Sequence, residues 1–337
     1  MTNYLLLAGG LVLLVIGGEL LVRGASRTAE RLGMSPLLIG LTLVGFGTST
    51  PELVTSVQAS LAGSPGIAVG NIVGSNIANV LLILGISALI TPIAVRRQAL
   101  MRDGVVVLVT AAAFCAIGFT LPLDRTVGAV FVAGLTAYLY YVYRQETKGA
   151  PGGHTAAYEK FDAHRKLQGS ADDSVPPVAQ TAPLSATEAS LLIPLLLAIG
   201  GLVIVIVGGK LLVDGATGVA RSFGISETVI GLTIVAIGTS MPELVTSVIA
   251  AVRRQGDVAL GNILGSNIYN ILGIGGVTAL IAPTVIPAQI VRFDNVVMLA
   301  VSVVLLIVAR TGYRIGRIEG LALIAGYVAY VYAVWPH

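Results

Sequence analysis

The sequence predicts an all-α polytopic membrane protein with ten transmembrane helices, arranged as two inverted five-helix repeats. Three observations support this fold class. The chain of 337 residues is 55% hydrophobic and only 11% charged, with a mean hydropathy of +0.90, whereas soluble domains carry roughly 25% charged residues. Several windows exceed about 18 nearly uncharged apolar residues, the length of a membrane-spanning helix. Finally, the second half of the chain repeats the first.

Hydropathy separates ten apolar segments, and the strand alternation of an outer-membrane barrel is absent from all of them. The first segment has no preceding basic region and no clear small-residue cleavage site, so we interpret it as a mature span rather than a signal peptide. The predicted spans are 3–22, 36–62, 66–90, 104–121, 126–143, 189–213, 227–251, 257–282, 294–310 and 319–335.

One long polar segment, rich in Pro, Gly, Ser and Asp, separates the fifth span from the sixth. We expect a solvated cytoplasmic linker, in which 157–167 could form a short surface helix. The predicted organisation is a first repeat at 1–143 with its motif at 36–90, the linker at 144–187, and a second repeat at 188–337 with its motif at 227–281.

A fixed offset of 191 residues maps Glu52 onto Glu243 and Asn71 onto Asn262, without insertions between about residue 17 and residue 90. This is the signature of a duplicated half-protein rather than of a short solenoid unit. Each half holds five predicted spans. Since five is odd, the second half enters the membrane from the opposite side, which makes the repeats inverted.

The basic residues give an independent prediction of topology. With both termini outside, 16 of the 20 Lys and Arg residues fall on the side of the central linker, and three fall on the outer side. Cytoplasmic loops carry an excess of Lys and Arg. We therefore expect the linker to be cytoplasmic and both termini to be outside.

Each repeat places a glutamate directly after a proline inside an apolar span, at Pro51-Glu52 and at Pro242-Glu243. A carboxylate near the bilayer centre costs about 2.5–3.5 kcal/mol on insertion scales, so its presence indicates a function. The proline removes a backbone donor and frees carbonyls of the preceding turn. Together with neighbouring hydroxyls, these oxygens suit a hard cation.

A second motif, Gly-Asn-x-x-Gly-Ser-Asn, follows each Pro-Glu segment. In a helix, Ser75 and Asn79 share one face, as do Ser266 and Asn270, so their oxygens could coordinate a cation or bond a neighbouring helix. The motif glycines allow close approach of that neighbour. For the remaining amides we favour helix packing over ion binding: Asn71, Asn76, Asn262 and Asn267.

Two symmetric carboxylates carry a charge that one Ca²⁺ or two Na⁺ would balance. Ca²⁺ takes about 6–8 oxygens in flexible geometry, whereas Mg²⁺ keeps its water and fits a dry cage less well. The three histidines lie in the linker or at the terminus, and the single cysteine, Cys115, excludes an intrachain disulfide. A transition-metal site is therefore not expected.

Both motifs, present twice, resemble the α-repeats of the calcium/cation antiporter superfamily, with the prokaryotic sodium/calcium exchanger-like proteins as the branch most similar. The resemblance implies ten helices, alternating access in a prokaryotic inner membrane, Ca²⁺ and Na⁺ as transported ions, no cofactor, no nucleic acid and no obligate protein partner. It implies the following ion ligands: Glu52, Glu243, Thr48, Ser49, Thr239, Ser240, Gly45, Ala236, Ser75, Asn79, Ser266 and Asn270.

Some branches carry an aspartate where this chain has Asn79 and Asn270, which leaves potassium co-transport in doubt. Three other functions remain open. A proton/calcium exchanger would use the same glutamates as proton carriers, and a cation channel would need no counterflow. An intramembrane enzyme is disfavoured, because Ser49 and Ser240 have no histidine or lysine base at membrane depth in the sequence. For Glu19 and Lys210 we expect snorkelling at the interface.

Overall fold

The computed structural model describes residues 2–31, 48–147, 158–160 and 191–335, and nearly all of these residues are helical. Within the described ranges, eight helices are long and apolar enough to cross a membrane, and one further candidate is a helix pair bent by 50°. They correspond to nine of the ten predicted spans. The predicted span 36–62 is described only from residue 48 onward, so the count of ten stays a prediction.

The first half of the chain contains five described helices. They are α1 (Thr2–Arg31), α2 (Thr50–Leu61), α3 (Pro65–Ile90), α4 (Leu100–Thr120) and α5 (Arg125–Thr147). α1 has 30 residues, so it is about 45 Å long, well beyond the ~30 Å of a hydrocarbon core. Hydropathy placed its end near residue 22, because the helix continues into a charged segment that contains Arg23 and Arg27.

The second half repeats these elements. They are α6 (Leu192–Phe223), α7 (Glu227–Thr239), α8 (Met241–Val252), α9 (the consecutive stretches Gly256–Ile268, Tyr269–Gly275 and Gly276–Ile281), α10 (Ile290–Arg310) and α11 (Arg317–Val334). α8 begins and ends at the positions that correspond to the ends of α2 at the offset of 191. The bend of 50° lies between α7 and α8, where Pro242 cannot continue the preceding helix.

The long helices α1 and α6 pack against each other through glycines. A Cβ atom on Gly201 would lie 2.3 Å from the backbone nitrogen of Leu21, and one on Gly10 would lie 2.5 Å from that of Leu212. These approaches bring the two backbones into contact, as small residues allow between membrane helices. Elsewhere α6 exposes large apolar side chains such as Ile193, which is typical of a lipid-facing surface.

α3 and α9 form the centre of the molecule, with 83% and 89% of their most apolar windows buried. Each contains a π-helical stretch at the same point of its repeat, Asn79–Leu84 in α3 and Tyr269–Gly275 in α9. Such widened turns occur frequently at functional sites. They follow directly after the Gly-Asn-x-x-Gly-Ser-Asn motifs.

Two short strands join distant loops. β1 (Ile93–Ala94) follows α3 and pairs antiparallel with β2 (Arg314–Ile315), which lies between α10 and α11. A separate bridge joins Leu123, between α4 and α5, to Thr284, between α9 and α10. The loop after α3 and the loop after α10 therefore lie at one end of the bundle.

Candidate functional site

The two Pro-Glu segments start helices. α2 begins at Thr50 and α8 at Met241, each with its proline in the first turn, where a missing amide donor costs nothing. Glu52 and Glu243 lie in these first turns, so the positive end of each helix dipole points toward a carboxylate. The predicted break of the helix before the glutamate is present in the second repeat. In the first repeat, the segment before residue 48 lies outside the described residues.

Both carboxylates are enclosed by protein. Glu52 is 1% and Glu243 is 2% exposed. The hydroxyl of Ser240, from the second repeat, donates to Glu52 Oε1 of the first repeat at 3.0 Å. The Oε2 atom of each glutamate has no hydrogen-bond partner within the described ranges, so each carboxylate keeps an oxygen available to a cation.

Neutral oxygens lie around this pair. The Ser75 hydroxyl donates to the Ala236 carbonyl at 3.4 Å, which joins two of the predicted ligands. The Thr239 hydroxyl is within 3.1 Å of the Val235 carbonyl and donates to Asn71 Oδ1 at 2.9 Å. The Thr239 hydroxyl therefore forms a contact between helices. It also lies at hydrogen-bond distance from the Ala236 carbonyl, within the group of oxygens around the two glutamates.

The amide of Asn79, at the start of the first π-helical stretch, joins the two repeats. Asn79 Nδ2 donates to Asn267 Oδ1 at 2.9 Å, and Asn79 Oδ1 has no donor in the part of the chain that the structure describes. Asn270 and Ser266 are both buried. Of the remaining predicted ligands, Thr48 is partly buried, and Gly45 lies outside the described residues.

Two amides position the glutamates. Asn71 Nδ2 donates to the Glu52 backbone carbonyl at 3.0 Å and to Ser56 Oγ at 3.0 Å. Asn262 Nδ2 makes the equivalent bonds to the Glu243 carbonyl at 3.3 Å and to Ser247 Oγ at 2.9 Å. These bonds are those expected of the favoured helix-packing role. Sequence reasoning missed Ser56 and Ser247, although both recur at the repeat offset.

Lys160 is the principal residue that the sequence did not indicate. It belongs to the predicted solvated linker, yet its side chain is fully buried. Its Nζ donates to Ser266 Oγ at 2.6 Å, to Ser49 Oγ at 3.1 Å and to Glu243 Oε1 at 3.2 Å. For residues 158–160 the expectation of a solvated segment is therefore wrong, because Glu243 offers an ion pair that compensates burial of the ammonium.

The expectation that Ser49 has no lysine base nearby is also wrong, because Lys160 Nζ lies at hydrogen-bond distance from Ser49 Oγ. The polar residues Glu19 and Lys210 lie away from the site. Glu19 forms an ion pair with Arg23 one helical turn later, and Lys210 is exposed on the surface of α6. Neither observation fixes the depth of these residues, so the interfacial position stays a prediction.

The donor set fits a hard cation. It consists of two carboxylates with available oxygens, hydroxyls from Ser49, Ser240 and Ser266, and the Ala236 carbonyl. All of these donors are oxygen, as Ca²⁺ and Na⁺ prefer. Within the described residues, no group of three or more His, Cys, Asp or Glu side chains could hold a metal ion. A cation here would depend on the two glutamates and on neutral oxygens.

Comparisons with known proteins agree with this chemistry. The family described as "Sodium/calcium exchanger protein" matches residues 2–144 and 193–335. The sodium/calcium exchanger MaX1 of Methanosarcina acetivorans is 38% identical over 343 residues, covering 98% of this chain and 97% of MaX1. The inner membrane protein YrbG of Escherichia coli is 34% identical over 328 residues, covering 97% of this chain and 94% of YrbG.

The fold is similar to a solved exchanger. The structure of the sodium-calcium exchanger NCX_Mj soaked with 2.5 mM Na⁺ and 0.1 mM Sr²⁺ has a TM-score of 0.61 and 32% sequence identity to this chain, covering 98% of this chain and 99% of NCX_Mj. The same exchanger soaked with 10 mM Na⁺ and no Ca²⁺ gives a TM-score of 0.60.

Proposed function

The chain belongs to the sodium/calcium exchanger protein family, and from this premise we propose that it exchanges Ca²⁺ for Na⁺ by alternating access. Membership makes it an integral membrane transporter and not an enzyme. Its relative YrbG is an inner membrane protein, and we infer the same location here. We also infer ten spans in two inverted repeats, with both termini outside.

The observation that carries this proposal is the buried pair Glu52 and Glu243. Each repeat contributes one carboxylate at the start of a helix, and Ser240 joins the second repeat to the first carboxylate at 3.0 Å. A metal-bound site has its negative charge balanced, so the helices can change their exposure without moving bare carboxylates through an apolar barrier. Without a bound cation, the bare carboxylates would oppose this conformational change. One ion must therefore replace the other before the helices move, and transport proceeds as exchange.

Flux measurements on proteoliposomes test this function. We expect Ca²⁺ uptake that depends on an outward Na⁺ gradient, and loss of that uptake in Glu52→Gln, because the amide keeps the shape but removes one charge. Glu19→Gln is the matched control, since Glu19 lies at the surface in an ion pair with Arg23. Near-normal Ca²⁺ flux in Glu52→Gln would contradict the proposal.

The counter-ion needs its own comparison. The same vesicles are loaded with Na⁺ at equal pH on both sides, and separately given a pH gradient without Na⁺. Sodium coupling predicts uptake only in the first case. Uptake driven by the pH gradient alone would make the protein a proton/calcium exchanger on the same carboxylates. Uptake that needs neither counter-ion would indicate a channel.

A further inference from the structure

A segment of the linker reaches the interior of the membrane bundle. Tyr158 is 3% exposed, Glu159 is 9% exposed, and Lys160 is 0% exposed. Residues 158–160 belong to the connection between α5 and α6. These three residues of a polar connection are thus enclosed by helices that are otherwise apolar.

The depth of this insertion follows from its contact on α9. Ser266, which accepts a hydrogen bond from Lys160 Nζ, lies ten residues after Gly256, where α9 begins. At 1.5 Å per residue, this is about 15 Å along the helix, or about half of a ~30 Å hydrocarbon core. The ammonium therefore lies near the level expected for the bilayer midplane.

The repeat symmetry is broken where the linker enters. A Cβ atom on Gly70 of α3 would lie 2.9 Å from the backbone nitrogen of Leu232 in the other repeat. Gly261 is the equivalent position in α9, and a Cβ atom there would lie 2.2 Å from Glu159 Cβ. Gly261 therefore provides the space that the Glu159 side chain occupies, whereas Gly70 provides the equivalent space to the backbone of a transmembrane helix.

The three polar partners of the Lys160 ammonium are all predicted ion ligands: Ser49, Glu243 and Ser266. The ammonium also lies 5.7 Å above the ring of Tyr269, within the range of a cation–π contact. A Ca²⁺ ion bound to the same oxygens at about 2.3–2.6 Å would overlap the volume of Nζ. Lys160 and a metal ion on these ligands exclude each other.

We propose that Lys160 is a tethered cation that occupies the transport site and competes with the transported ion. This inference rests on the proposed function. The ammonium satisfies Glu243 when no metal is bound, and a metal ion that binds Glu243 displaces the linker. The tether keeps the ammonium at a high effective concentration next to the site, so the linker lowers the apparent affinity for Ca²⁺.

Transport kinetics from the two faces test the competition. If the ammonium fills the site nine-tenths of the time, the half-saturating Ca²⁺ concentration rises about tenfold. We therefore expect Lys160→Gln to lower this concentration about tenfold in inside-out vesicles, with an unchanged maximal rate. Right-side-out vesicles should show a change in the same direction, because an ammonium that occupies the single transport site withdraws it from both faces. The matched charge control is Arg144→Gln, because Arg144 is exposed at the end of α5, and it should leave both values unchanged.

A second measurement uses the unmodified chain and does not depend on how the variant folds. Trypsin cuts after lysine only where the chain is accessible. We expect cleavage after Lys160 to be slow in Ca²⁺-free inside-out vesicles and to accelerate severalfold as Ca²⁺ is added. In Glu243→Gln, which removes the partner of the ammonium and a metal ligand together, cleavage should be fast and independent of Ca²⁺.

The outcomes separate the two proposals. If wild-type vesicles show no cation-coupled Ca²⁺ flux, the proposed function fails and this inference fails with it. If wild-type flux is present and is lost in Glu52→Gln, the function holds. In that case, either of two results overturns the proposal about Lys160 and leaves the function standing. One is an equal half-saturating Ca²⁺ concentration in Lys160→Gln and wild type, and the other is a rate of cleavage after Lys160 that does not depend on Ca²⁺.

Discussion

Individual residues at the site divide into ligands and positioning groups, and the structure separates them by where their hydrogen bonds go. Glu52 and Glu243 each keep one oxygen without a donor among the described residues. Asn71 and Asn262 instead direct their amides to the backbone carbonyls of those glutamates. A carboxylate that must receive an ion needs a fixed backbone beneath it, and the two asparagines provide that support.

Substitution of a positioning asparagine should disturb both stability and ion affinity. Asn262→Ala removes bonds to the Glu243 carbonyl and to Ser247 Oγ, and unsatisfied buried groups cost about 1–3 kcal/mol each. We expect a lower melting temperature in detergent and a severalfold higher half-saturating Ca²⁺ concentration. Asn76→Ala is the control, because among the described residues the Asn76 amide nitrogen donates to its own helix, at the Ile72 carbonyl. Equal effects of the two variants would contradict the positioning role.

At the scale of helices, the contact between α1 and α6 is set by which glycines face the partner. Gly201 faces α1, where a Cβ atom would lie 2.3 Å from Leu21 N, whereas no atom of the described residues lies within 4 Å of a Cβ atom on Gly200. Both are glycines in one helix turn of an apolar sequence. Only the rotation of α6 about its axis distinguishes them.

This difference gives a matched pair of substitutions. Gly201→Ala should separate α1 from α6 and lower the melting temperature, because an added methyl would meet backbone atoms that cannot move aside. Gly200→Ala should leave it unchanged or raise it slightly, because alanine favours a helix by up to about 1 kcal/mol over glycine. Thermal unfolding in one detergent measures both. A loss of stability in Gly200→Ala as large as that in Gly201→Ala would refute this packing.

The turns after α2 and α8 have equivalent left-handed positions that different residue types occupy. Gly63 follows α2 with φ +72°, and its repeat equivalent Arg254 follows α8 with φ +60°. A left-handed conformation costs a non-glycine residue about 1–2 kcal/mol. We therefore expect Arg254→Gly to raise the melting temperature and Gly63→Ala to lower it, with opposite signs at equivalent positions. Changes of the same sign would contradict the turn assignment.

For the whole molecule, the pairing of distant loops bears on topology. β1 and β2 join the loop after α3 to the loop after α10, which requires an even number of crossings between them. Ten spans in two inverted repeats give six crossings there. The same arrangement gives five crossings between Ala94 and Val285, and it places these two residues on opposite faces.

Labelling of single cysteines tests this topology. In a background where Cys115 is replaced by alanine, Val285→Cys should react with a membrane-impermeant maleimide in intact cells, because Val285 is 68% exposed and lies on the predicted outer face. Ala94→Cys is the matched comparison, and it should react only after the membrane is opened. Equal reaction of both cysteines in intact cells would refute five crossings between them and with it the inverted repeat.

The sequence by itself determined the membrane class, most span positions, the duplication and the two carboxylates. Each of these follows from a local property, either an apolar run of spanning length or a motif repeated at a constant offset of 191 residues. The paired asparagines were visible too, although the choice between packing and ion binding needed their hydrogen-bond partners. Family resemblance then supplied the remaining predicted ligands.

Only the tertiary structure decided that Lys160 enters the site. Its partners Ser49 and Ser266 lie 111 and 106 residues away along the chain, and the repeat supplies no second copy that would mark the position. A polar linker is solvated by default, because burying an unpaired charge is costly. The arrangement of the helices around Glu243 changes that outcome, since it places a buried carboxylate within reach of one ammonium.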